Sequence, residues 1–177
     1  MKEFDPDTYG SAFAEIISLA TLMPLDDGEP NEITRSRLND LAIEKAFAGS
    51  RVADTNMADC CLAGVWLLHN FLDESHTISQ RIATPSGSFW HGIMHRREGD
   101  FSNAKYWFDR SGDHPVFSAL TAADGSPWDA HRFVDASQRA LRSRDAEQIA
   151  ALRDLQHREW QSLFNFCYQA ATGEREA

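Results

Sequence analysis

Cysteine is scarce in this chain, with three in 177 residues, and Cys60 and Cys61 are adjacent while Cys167 lies far downstream. That spacing builds neither a disulfide framework nor a zinc finger, and it reads as small buried thiols on helices. The apolar surroundings of Cys60 and Cys61 argue against a reactive thiolate, because burial without a positive partner raises a thiol pKa. Long uncharged apolar runs are also missing. No segment approaches the roughly 20 residues of a membrane-spanning helix, and residues 1–5 show no apolar stretch behind a basic start. A cytoplasmic location and no membrane partner are therefore expected. Basic residues are outnumbered, 17 Lys and Arg against 27 Asp and Glu, for a formal charge of −10. Such a balance argues against nucleic acid and anionic surfaces as partners. The chain has no phosphate-binding glycine loop, no dinucleotide fingerprint and no Gly-x-Ser-x-Gly elbow, so the common nucleotide-binding and hydrolase classes lose support. No β-alternating run, internal repeat or low-complexity tract divides it.

Apolar surface is plentiful: 42% of residues are hydrophobic, including 11 Phe and 5 Trp. That is enough to offset the entropy of ordering a chain of this length around one core. The expected architecture is all-α, a single-domain helical bundle of about seven helices spanning residues 1–177, with a polar, frayed tail at 173–177. A first helix follows Asp5-Pro6-Asp7 and carries Tyr9, Phe13, Ile16, Ile17 and Ala20 until Pro24 stops it. A second opens at Asn31 or Thr34 and runs through Leu38, Leu41 and Ala46 to Gly49. The third, from Asp54 or Thr55 through Phe71, is apolar almost all round and so is expected at the centre of the bundle. The stretch 74–87 reads as a connection, with a further helix starting at Ser88. Gly99 separates two helical pieces, His114-Pro115 caps another, and Ser126-Pro127-Trp128-Asp129 reads as a capping box with proline at the first helical position. A long last helix bears Leu152, Trp160, Leu163, Phe164 and Cys167.

Residues 88–114 concentrate the groups able to bind ligands or move protons. On a helix, His91, His95 and Glu98 stand at i, i+4 and i+7 and project from nearly one stripe. His69, Asp73 and His76 repeat the spacing at the end of the preceding helix, and an antiparallel hairpin would let the two triplets face each other. Three readings of this pattern stay open. In the first, the six residues hold a mono- or dinuclear site for Zn, Fe, Mn or Ni, to which imidazole and carboxylate are suited. The pattern lacks both the paired Glu-x-x-His elements of ferritin-like di-iron proteins and the Glu of the zinc-peptidase motif. In the second reading no metal is needed. His91 and His95 act as acid–base groups, Arg96 or Arg97 grips a small polar or anionic ligand, and Trp90, Asn103, Tyr106 and Trp107 line the pocket. In the third, the histidines, Arg96, Arg97, Glu98 and Asp100 form an internal salt-bridge network of a non-catalytic module. His114 is expected to cap a helix, and His131 and His157 to lie on solvated faces.

The segments Phe89-Trp90-His91-Gly92-Ile93-Met94-His95-Arg96-Arg97-Glu98, Asn103-Ala104-Lys105-Tyr106-Trp107-Phe108 and Gly112-Asp113-His114-Pro115 resemble a signature of an uncharacterised bacterial protein family. The resemblance also touches residues 71–80 and covers about a third of the chain. It implies no reaction, cofactor or substrate.

Overall fold

The computed structural model describes residues 4–122 and 124–174. Among them are ten α-helices and no strand; an isolated antiparallel bridge joins Thr121 to Pro127. The all-helical expectation holds, while the expected count of about seven is loose. Residues 1–3, and residues 175–177 of the expected tail, lie outside the described residues.

The helices that position the site are α4 (Thr55–Leu68), α5 (Leu72–Ser79), α6 (Pro85–Glu98), α7 (Phe101–Ser111), α9 (Ala130–Ser143) and α10 (Ala146–Thr172). α6 packs on α4, α5 and α7; α10 packs on α4 and α9. Their buried apolar side chains form a continuous cluster reaching from Phe13 and Leu38 to Leu163 and Phe164.

Several boundaries differ from the sequence reading, each for a local reason. The first helix is split: Pro6–Tyr9 forms a 3-10 turn, and Gly10, at φ +81°, resets the chain before α1 (Ser11–Ser18). The second becomes a 3-10 turn at Glu32–Thr34, then α2 (Arg35–Asn39) and α3 (Ile43–Ala46). α4 opens as expected, with Asp54 accepting from the amides of Asn56 and Met57. It ends at Leu68, because Asn70 takes the left-handed conformation at φ +65°, which no residue inside an α-helix adopts. The chain then restarts as α5, so much of the expected connection is helix. α6 begins three residues early, where the Thr84 side chain accepts from the Gly87 amide and Pro85 fills the first turn. Its end at left-handed Gly99 matches expectation, as does the His114 cap, whose ring accepts from the Val116 amide at the start of α8 (Pro115–Ala119). The capping box at Ser126 does not form. Asp129 caps α9 instead, with Pro127 left in the bridge.

α6, rather than α4, is the helix buried all round. Every residue from Ser86 to Arg97 is buried. Glycine admits two of its neighbours: a β-carbon on Gly64 of α4 would come within 2.8 Å of the Trp90 ring, and one on Gly92 within 3.1 Å of the Phe108 ring of α7. The indole is rigid and itself fully buried. Gly64→Ala is therefore expected to destabilise the fold by about 1–3 kcal/mol, the usual range for overpacking, as a lower urea midpoint with an unchanged slope.

Candidate functional site

A helix buried on every side must satisfy each polar group it carries, because an unpaired buried donor or acceptor costs about 1–3 kcal/mol. α6 carries His91, His95, Arg96 and Arg97 into the interior. Successive helical residues point about 100° apart, so each meets a different neighbour.

Arg96 and Arg97 are consumed by structure. Arg96 is fully buried and forks onto Glu159 of α10, with Nη1 to Oε1 at 3.1 Å and Nη2 to Oε2 at 2.5 Å; Nη2 also reaches Gln156 Oε1 at 3.3 Å. The Phe133 ring of α9 lies 4.3 Å from its guanidinium carbon. Burial pushes the Glu159 carboxyl up from its ordinary value, and Arg96 opposes that shift. The expected substrate-binding role of Arg96 is thereby corrected, because its charge already faces a buried carboxylate away from solvent. Arg97 turns the other way and donates to the carbonyls of Asp26, Asp27 and Leu67 and to Asn70 Oδ1. It has no carboxylate partner there, and burial, with the neighbouring Arg96 charge, pulls its pKa down to about 9. Trp90 is likewise removed from the expected pocket. It faces α4 and α10, its ring 6.3 Å from that of Trp160.

The expected triplet on the preceding helix is severed. Asn70 breaks the chain between α4 and α5, so His69 does not share a helical stripe with Asp73 and His76. Buried His69 has Nε2 2.9 Å from the Ile16 carbonyl and Nδ1 3.2 Å from the Asn31 amide nitrogen. Both ring nitrogens are engaged in linking α4 to the N-terminal segment, which corrects its expected place among metal ligands. Asp73 is exposed on α5 and belongs to neither of the ligand groups found among the described residues.

What remains comes together. His76 from α5 meets His91 and His95 from α6, and one ring nitrogen of each lies within 4.8 Å of the others. The His91 ring stacks on Trp107 of α7, with centroids 3.9 Å apart and planes at 13°, and on His95 at 4.6 Å and 18°. His76 approaches His91 edge-on at 4.6 Å. His91 is 2% exposed, yet neither of its ring nitrogens has a hydrogen-bond partner. Burial, then the adjacent His95 and His76, pushes its pKa down to about 3.

His95 is fixed differently. Its Nδ1 lies 2.5 Å from Glu98 Oε1. A carboxylate only accepts, so the proton sits on Nδ1 and Nε2 is left as an acceptor. The Asn103 side-chain amide nitrogen stands 3.1 Å from that Nε2. Asp100 joins His95 and Glu98 in a second, more exposed ligand group, but it also caps α7 by accepting from the Asn103 amide. Tyr106 is 53% exposed and packs edge-on against Trp107 at the rim. Of the expected site residues, His76, His91, His95, Glu98, Asn103 and Trp107 are thus gathered, Tyr106 is marginal, and His69, Asp73, Trp90 and Arg96 lie elsewhere. His157, expected on a solvated face, is half-buried instead. Glu159 and Gln156 were missed. The available signal was a carboxylate beside Trp160, on the apolar side of the last helix.

No protein-family model matches this chain, and no curated protein or solved structure shows significant similarity to it. The functional reading therefore rests on the geometry.

Two outcomes test that geometry. Glu159→Ala leaves Arg96 buried without its partner and is expected to cost about 3–5 kcal/mol, whereas pairing Glu159→Leu with Arg96→Met recovers most of the loss; urea denaturation reads both. The pH dependence follows from His91. The unfolded chain takes up its proton near pH 6.5, while the folded chain resists protonation down to about pH 3. Between those values the unfolded state holds more protons, so stability is full above pH 6.5 and falls as pH drops through the window. Burial lowers His69 and His157 as well. In the presence of chelator, His91→Phe is accordingly expected to flatten, without abolishing, the decline in melting temperature between pH 7.5 and 4.5.

Proposed function

We propose that this protein binds a divalent transition metal through His76, His91 and His95, as the centre of a site for a small polar or anionic ligand in a single all-helical domain. The observation that carries this reading is the buried His91 ring, which has two unpartnered nitrogens beside two further imidazoles at ligating separation. A dry imidazole without a hydrogen bond is costly, and a metal ion converts one of its lone pairs into a bond. The depressed pKa favours the neutral, ligating form at neutral pH.

Glu98 supports the same reading. Metal-bound histidines commonly donate their second nitrogen to a carboxylate, which fixes the tautomer and raises basicity; Glu98 stands to His95 in that relation. Three imidazoles suit zinc above magnesium or calcium, which prefer oxygen. His91 and His95 act here as ligands rather than as an acid–base pair, and Trp107 walls the site.

The internal-network alternative is favoured for the two arginines, Arg97 with its carbonyl and amide acceptors and above all the Arg96–Glu159 pair. Its fully buried, bidentate geometry has the character of a structural link between α6 and α10.

Purified, untagged protein is expected to retain about one equivalent of zinc or cobalt after dialysis, measured by elemental analysis, and to melt at a higher temperature with metal than with chelator. His76→Ala, on the half-buried α5 ligand, should fold yet lose most of the bound metal. Wild-type protein that holds no metal and melts identically in chelator overturns the reading.

A further inference from the structure

Resting on that reading, we infer that Trp107 of α7 is the positioning residue of the metal site: its indole face, in place of an outer hydrogen bond, sets the plane in which His91 presents its nitrogens. The need for such a residue comes first. The outer torsion of a histidine side chain is broad, so the rotamer alone does not fix the ring. Metal-ligating histidines usually have that torsion held by a hydrogen bond from the second ring nitrogen to a carboxylate or carbonyl. His95 has this support from Glu98. His91 has none, because both of its nitrogens are buried without a partner.

Stacking supplies what is missing. The Trp107 and His91 rings lie 3.9 Å apart between centroids and within 13° of parallel, and His95 continues the stack at 4.6 Å and 18°. His76 meets this pair of near-parallel rings edge-on, at 75° to His91 and 69° to His95. A ring so placed cannot turn about its outer torsion without losing contact with a neighbour. The Asn103 amide nitrogen is almost equidistant from the two nitrogens of His95, at 3.1 and 3.4 Å, so it covers a face of that ring rather than standing in line with a lone pair.

The register of the α6–α7 hairpin puts the indole there. The two helices fold back on each other about Gly99, so that Trp107 comes opposite His91 and Asn103 opposite His95. Residues four apart share a helical stripe, and two side chains of α7 therefore cover two imidazoles of α6 as a matched pair. Gly92 lets the helices close to this distance, since a β-carbon there would come within 3.1 Å of the Phe108 ring.

The test measures the cobalt(II) affinity of the full chain by competition with a chromophoric chelator, beside the melting temperature in excess chelator. Trp107→Met keeps apolar bulk at this half-buried position without a flat face. It is expected to weaken cobalt binding about tenfold, the lower end of what loss of an outer-shell partner costs. Trp107→Phe restores a flat ring and should recover most of that loss. A side chain that only fills space would instead lower the melting temperature in chelator and leave the affinity of the folded chain unchanged. Trp107→Leu takes the place of the Met variant if that variant does not fold. Cobalt affinity equal to wild type in the Met or Leu variant, or no recovery with Trp107→Phe, overturns the positioning role. A wild-type chain that takes up no cobalt is a different result, one that overturns the metal reading itself.

Discussion

Burial of α6 on every side is the constraint from which the rest of the structure follows. A helix with one wet face can leave its charged residues in solvent, but α6 turns two arginines and two histidines into the interior along with Phe89, Trp90, Ile93 and Met94. Each buried charge then demands a partner from another element, and those demands set where the neighbours sit. Arg96 fixes the register of α10 through Glu159. Arg97 gathers the Asp26–Asp27 turn, the end of α4 and Asn70 around one guanidinium. Replacing such pairs by apolar residues is often neutral or stabilising in other proteins. Their role here is accordingly read as specifying how the helices dock more than as adding stability.

The two arginines also explain each other. Adjacent helical positions diverge by about 100°, so a single turn of α6 sends one cation toward α10 and the other toward the opposite side. Arg96 meets a carboxylate of full charge, whereas Arg97 meets only carbonyls and an amide. That difference is reflected in the downward shift of Arg97. A guanidinium surrounded by four neutral acceptors is well hydrogen-bonded yet poorly neutralised, and Asp26 and Asp27 supply longer-range compensation.

Much of this was legible in the sequence, and the failures have physical causes. Helix class followed from apolar spacing, and the start of α4 and the end of α6 followed from Asp54 and Gly99. The stripe of His91, His95 and Glu98 was correct in spacing because it lies within one unbroken helix, and Asn103 and Trp107 followed from their nearness in sequence. His69 failed because a single residue, Asn70, adopts a positive φ that spacing arguments cannot see. Arg96 failed because its partner lies 63 positions away, and nothing local to α6 announces Glu159. Periodicity finds which residues share a face of one helix. It does not find which face another helix will cover.

Against this background His91 is the exception that needs a physical account. Arg96, Arg97, His69 and His95 each reach polar partners, and single atoms nearby, Arg96 Nε, Trp90 Nε1 and Ser75 Oγ, are left over. Of the two arginines and three histidines, His91 alone has its entire hydrogen-bonding capacity unpartnered, and it does so between an indole and another imidazole. An apolar side chain of similar size would fill that space without the desolvation penalty. A histidine held there, neutral and oriented by stacking, costs free energy that, on the proposed reading, metal coordination would return. The same stacking restrains the ring in advance, which would lower the entropy lost on binding. On that reading the stability of α6 and the occupancy of its histidines form a single equilibrium, because an ion that binds only the folded chain stabilises it.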